Sequence, residues 1–72
     1  VDGGTYTTNG AGSPSIYSTA SITVKNSKLI SNASEGIVIE GKNSVSIENT
    51  ELIDTNNKLN GKSTTYKNIF FN

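Results

Sequence analysis

Seventy-two residues permit one domain at most, and a chain this short has little surface to bury. It contains no Cys and no His, which excludes disulfides, thiolate metal sites and any nucleophilic triad, and its six Lys with no Arg balance six acidic residues, which excludes the concentrated positive charge of a nucleic-acid surface. Only 32% of residues are hydrophobic and Gly, Ser, Thr and Asn make up half the chain, yet the zero net charge and single Pro14 argue for a thin, turn-rich β structure over disorder.

Along the chain, one segment returns at a fixed interval. Ile22-Thr23-Val24-Lys25-Asn26 comes back as Val45-Ser46-Ile47-Glu48-Asn49, and Leu29-Ile30 as Leu52-Ile53, each 23 positions later. A weaker third copy, Ile69-Phe70-Phe71-Asn72, places Asn72 the same distance beyond Asn49. A period of this size signals a solenoid, and alternating β-branched residues make it one of strands. The fold expected is all-β, a right-handed parallel β-helix (β-solenoid) of about three coils: Gly4 to Asn26, Ser27 to Asn49 and Thr50 to Asn72. Because Val1 opens inside a repeat, 1–72 is expected to be a partial β-helix domain excerpted from a longer chain.

The second repeat gives the elements in order. Lys28 to Ser31 is a strand, 32–36 a corner, Ile37 to Glu40 a strand, 41–43 a corner, and Ser44 to Glu48 a strand that Asn49-Thr50 closes. Gly36 and Gly41 are expected to supply the positive φ of the corners. Leu29, Ile30, Ala33 and Ile37 also have helical spacing, but the intervening Ser31, Asn32, Ser34 and Gly36 speak against a helix.

Alternation assigns the faces. Ile22 and Val24 should stack inward on Val45 and Ile47, and Leu29 on Leu52, with the ladder continuing back to Thr5 or Tyr6. On the remaining side two phases are open: Ile37 and Ile39 over Ser15 and Tyr17, or Val38 over Ile16. The first would pack Tyr17 and leave Tyr6 as the exposed aromatic. Asn26, Asn49 and Asn72 should form a column of stacked amides with left-handed backbone. Lys25 and Lys28 face Glu48 and Glu51 one repeat on, as cross-strand partners on a solvated face.

The stretch Gly10-Ala11-Gly12-Ser13-Pro14-Ser15-Ile16-Tyr17-Ser18-Thr19, followed by Ile22-Thr23-Val24 and Val38-Ile39-Glu40-Gly41-Lys42-Asn43-Ser44, resembles a bacterial group described as carbohydrate-binding-domain-containing proteins. The resemblance runs from about Gly3 to Asn60 and weakens after Gly61. It implies a pectate-lyase-like β-helix that binds acidic plant polysaccharide (polygalacturonate) and calcium, in proteins several times longer than this chain.

Polygalacturonate recognition calls for cations facing uronate carboxylates, or calcium bridging carboxylates through oxygen ligands. The oxygen-rich corner at 54–57 makes Asp54 and Asn56 metal candidates, with Glu40 on an adjacent side; Glu35 is a further acid. The spacing is not that of an EF-hand loop, and such a corner equally suits a solvated turn. Lys42 has no opposite-charge counterpart and, with Tyr6, is the candidate sugar contact.

No catalytic residue is assigned. A pectate lyase needs a strongly basic side chain, commonly Arg, and glycoside hydrolysis needs two facing carboxylates, for which Glu40 and Asp54 give no spacing argument. The favoured reading is non-catalytic binding of acidic polysaccharide with calcium as cofactor. The alternative is a structural spacer or adhesin segment, and a polysaccharide lyase stands third.

The thiol-free, Asn/Thr/Ser-rich composition fits an exported bacterial surface protein, extracellular or on the cell surface. Neither nucleic acid nor membrane insertion is expected: no apolar run reaches spanning length. The sequon at Asn32-Ala33-Ser34 matters only in a eukaryotic secretory host. Open strand edges at the two ends should favour end-to-end self-association.

Overall fold

A computed structural model describes residues 1–54, 59–60 and 62–71, the last two stretches and position 54 through their backbone. The strands are β1 (Thr5–Thr8), β2 (Ile16–Ser18), β3 (Ile22–Lys25), β4 (Lys28–Ser31), β5 (Ile37–Ile39), β6 (Ser44–Asp54), β7 (Leu59–Asn60) and β8 (Lys62–Phe71). No helix occurs among the described residues, so the all-β expectation holds. Every pairing between these strands is parallel. One sheet runs β1-β4-β6-β3, with β8 also on β6, and the other runs β2-β5-β7.

Registers in the first sheet follow the sequence period. Ile22 lies beside Val45, Val24 beside Ile47 and Leu29 beside Leu52. Val24, Leu29, Val45, Ile47 and Leu52 are all fully buried, with Ile37 and Ile39 completing the core. The Leu29–Leu52 ladder continues back to Tyr6.

The 11-residue β6 differs from the expectation of a strand closed at Asn49-Thr50. Its first half pairs with β3 and its second with β4, while Asn49 bends the chain at φ 47° without ending the strand. Asn26 makes the same bend at φ 55° between β3 and β4. Left-handed backbone costs most L-residues about 1–2 kcal/mol, and Asn tolerates it best after Gly.

The residue after each Asn is a buried hydroxyl. Ser27 Oγ donates to the Lys25 carbonyl at 2.9 Å, and Thr50 Oγ1 donates to the Glu48 carbonyl at 2.8 Å. Each Asn-Ser/Thr pair thus makes the corner and satisfies its inward polar group. Of the two corner glycines, Gly41 has the expected positive φ of 73°. Gly36 is not among the positive-φ residues and instead lies buried, its carbonyl accepting from Ile16 N at 3.2 Å.

Two registers correct the expectations. Ile16 pairs with Ile37, Tyr17 with Val38 and Ser18 with Ile39, so neither anticipated phase holds across both strands. Ile37 and Ile39 do face inward, but they stand on Ile16 and Ser18, and Tyr17 is turned outward. A one-residue difference in register exchanges the two faces of a strand, which is why Tyr17 faces outward and not into the core.

The third repeat is shorter than the first two. Ile47 pairs with Tyr66, Glu48 with Lys67 and Thr50 with Ile69, after an irregularity at Val45/Ser46. The backbone position continuing the Asn column is therefore Asn68, not Asn72, which itself lies outside the described residues.

Candidate functional site

The second sheet turns one short outward face to solvent. Tyr17 heads it, 60% exposed, with half-buried Val38 beside it in register. Tyr6 is also exposed, at 41%, but for another reason. It stands at the edge of the buried Leu29–Leu52 column, and its hydroxyl donates to the Gly3 carbonyl at 2.8 Å. Its ring lies over Gly4, where an added Cβ would come 2.5 Å from the hydroxyl. Tyr6 therefore closes over its own backbone, and Tyr17 offers the free ring.

Lys42 occupies the exposed turn after β5. That turn is anchored by Asn43, whose Nδ2 donates to the Thr19 carbonyl at 2.7 Å and to the Glu40 carbonyl at 3.1 Å. Ser44 N reaches Ser21 Oγ at 3.1 Å from the same turn. These bonds join the Lys42 turn to the segment following Tyr17, so ring and cation belong to one end of the sheet. Among the described residues, Lys42 enters no ion pair.

The other two lysines whose side chains are described are engaged. Lys28 Nζ lies 3.9 Å from Glu51, the partner expected from the repeat. Lys25 is in register with Glu48 as expected, but its ion pair, at 4.0 Å, is with Asp2. Both pairs are solvated and hold little energy.

Of the metal candidates, Glu40 is exposed where β5 ends, Asp54 ends β6 beside Ser31, and Asn56 lies outside the described residues. At the Glu40 turn the Thr19 and Glu40 carbonyls accept from Asn43, and among the described residues of that turn Glu40 carries the one carboxylate. Calcium takes six to eight oxygen ligands, and one carboxylate does not fit it. A site would need the 54–56 corner as well. Among the described residues, no three of His, Cys, Asp and Glu gather to hold a metal ion.

The amide column is present in its described part. Asn49 Nδ2 donates to Asn26 Oδ1 at 3.3 Å, and Asn26 Nδ2 donates to Asp2 Oδ1 at 2.9 Å. The chain of amides thus points one way and ends on a carboxylate, a stronger acceptor than another amide. A second amide pair joins Asn32 Nδ2 to Asn9 Oδ1 at 2.7 Å. Its signal was the same 23-residue spacing, carried by a corner whose neighbours do not repeat.

Between these amides lies a hydroxyl cluster that patterning did not reveal. Ser31, 1% exposed, accepts from Ser15 N at 3.0 Å and bonds Thr8 Oγ1 at 3.1 Å and Ser15 Oγ at 3.0 Å. Thr8 in turn donates to the Ser13 carbonyl at 2.6 Å, and Ser15 Oγ to the Ile30 carbonyl at 2.9 Å. Ser31 follows Leu29 by two, so period-2 alternation carried the only clue.

Compared with known proteins, the chain matches no family model, no curated protein and no solved structure.

Proposed function

We propose that the chain is a stretch of right-handed parallel β-helix of about three coils that binds an acidic polysaccharide of the polygalacturonate kind without cleaving it. The architecture is supported by parallel pairing throughout and by registers that return at nearly one spacing. The observation that carries the binding reading is the exposed Tyr17 ring on the same sheet end as the Lys42 turn. A ring offers a sugar its apolar face, and an exposed ammonium offers a uronate its counter-charge. Likeness to the carbohydrate-binding group supports the same ligand class, and a surface-exposed, extracellular setting goes with it.

Calcium belongs to the proposal as a bridge between sugar carboxylates and oxygen ligands drawn from Glu40, Asp54 and Asn56. The binding assay itself separates this part. Affinity electrophoresis in polygalacturonate should retard the chain, and chelator should lessen the retardation. Tyr17→Ala and Lys42→Ala should each weaken binding, by about 1 kcal/mol for the ring. Tyr6→Ala should leave it unchanged.

Absence of retardation with and without chelator would leave the alternative, a structural spacer or adhesin segment. One observation favours that alternative: among the described residues no buried side-chain nitrogen or oxygen lacks a partner, so the ladders satisfy themselves without a ligand. Release of unsaturated products absorbing in the ultraviolet would point instead to a lyase.

A further inference from the structure

Charges along one column of the first sheet alternate. Asp2 lies in register with Lys25, Lys25 with Glu48, and Glu48 with Lys67. Opposite signs on neighbouring strands stabilise the pairing, and like signs oppose it. The column begins on an anion at one edge of the sheet and ends on a cation at the other. The two edges are therefore complementary to each other, and neither is complementary to itself.

The apolar columns point the same way. Two of the most exposed apolar side chains, Val1 at 49% and Tyr6 at 41%, lie along the Asp2–Thr8 edge. Both head columns that are fully buried one repeat later: Val1, through the Asp2–Lys25 bridge, precedes Val24, and Tyr6 precedes Leu29. At the opposite edge those columns reach Tyr66 and Phe71 by backbone register.

Backbone groups are free to join the edges. In β1, Gly4 and Thr8 give their carbonyls to Lys28 N and Asn32 N, each at 3.0 Å. Residues of a strand alternate sides, so the N–H and C=O of Thr5 and Thr7 point away from β4. Among the described residues, no strand lies on that side. Among the described residues β8 likewise pairs with β6 alone.

We propose that the 72-residue chain associates with further copies of itself head to tail, the β8 edge of one copy receiving the Asp2–Thr8 edge of the next. A single register sets Lys67 beside Asp2, Phe70 beside Thr5, and Phe71 beside Tyr6 of the next copy. It continues both the charge alternation and the apolar columns. The contact is heterologous, so nothing limits it to two copies. The proposal does not depend on sugar binding.

Sedimentation velocity over a concentration series, at low and high salt, tests it with two variants. The unaltered chain should give species that grow past two copies as concentration rises, with growth weakened by salt. Thr5→Pro removes a donor from the open edge and none from the β1–β4 ladder, so it should sediment as a monomer with an unchanged far-ultraviolet dichroism spectrum. Asp2→Asn keeps the acceptor for Asn26 and removes the charge. It should weaken association by about two- to five-fold and blunt its salt dependence. A monomer at every concentration, growth that stops at two copies, or a folded Thr5→Pro that associates like the parent would each overturn the proposal. Should Thr5→Pro fail to fold, Asp2→Asn decides, and undiminished association by that variant counts against it.

Discussion

The two sheets obey the repeat to different degrees. In the first, β1, β4 and the second half of β6 stay in one 23-residue register across three strands, and the column Leu29–Leu52 is fully buried. In the second, Ile16 meets Ile37 after 21 residues and Ile37 meets Leu59 after 22. The cause lies in the corners. The first repeat spends two more residues than the second on the segment before its second-sheet strand, 9–15 against 32–36. It recovers them afterwards, with 19–21 against 40–44 up to the paired Ile22 and Val45. Between the first two repeats, period is thus kept where amides and aliphatic columns pin the strands and released where only corner length sets position; the β6–β8 pairing of the first sheet, at 19 residues from Ser46 on, departs from it.

This contrast can be broken most strongly at the pinned side. Leu29→Ala opens a void in a column with no exposure and should lower stability by about 2–5 kcal/mol in urea denaturation. Tyr17→Ala on the other sheet should change it by less than about 0.5 kcal/mol, because the ring lies outside. Comparable losses from the two variants would show that Tyr17 is packed after all.

A smaller effect is expected at Ser31. Ser31→Ala leaves Ser15 N and Thr8 Oγ1 without their shared partner inside the protein, for a cost of about 1–3 kcal/mol. Thr23→Ala, on an exposed outward position of β3, serves as the control. Equal stability of both variants would mean water replaces the Ser31 hydroxyl.

At the corners the backbone and the amide can be separated. Asn26→Gly keeps the φ of 55° and loses the bonds to Asp2 and Asn49, whereas Asn26→Ala loses both the bonds and the tolerance for that φ. The alanine variant should be the less stable by about 1 kcal/mol. Thermal melts of the pair would settle whether geometry or the amide column fixes the corner. The smallest change belongs to Lys28→Ala, whose solvated pair with Glu51 should contribute at most about 0.5–1 kcal/mol and fade with salt.

Much of the first sheet was legible in the sequence because its signals are redundant. Ile22-x-Val24 and Val45-x-Ile47 carry alternation, spacing and a following Asn together, and the structure places them in register. β4 ran as anticipated, from Lys28 to Ser31. The second sheet was not legible at single-residue precision, since β2 and β5 are three residues long and each can alternate in two ways. Corner length decided between them, and corners rich in Ser, Asn and Gly carry no apolar pattern.

The third repeat misled for a related reason. Asn72 matched Asn49 by distance alone, whereas β8 follows a register that brings Lys67 beside Glu48. Lys42 and Tyr6 stand exposed as expected, but Tyr17, expected to be packed, is the more exposed ring, and the Gly3 carbonyl that accepts from the Tyr6 hydroxyl is invisible to periodicity.

The exchange of two residues between the segments flanking the second sheet has a practical consequence for anyone redesigning this molecule. Slack inserted on one side of a strand is absorbed by trimming on the other, and the Asn26–Asn49 hinge line never feels the difference. Residues 10–13 lie at the surface, where Ser13 N donates to the Gly10 carbonyl at 3.1 Å and Gly12 N to the Ala33 carbonyl at 3.2 Å, and they are accordingly a docking bay for a spliced-in peptide that spares those two bonds. Foreign loops grafted there would ride on a frame whose pitch is set elsewhere.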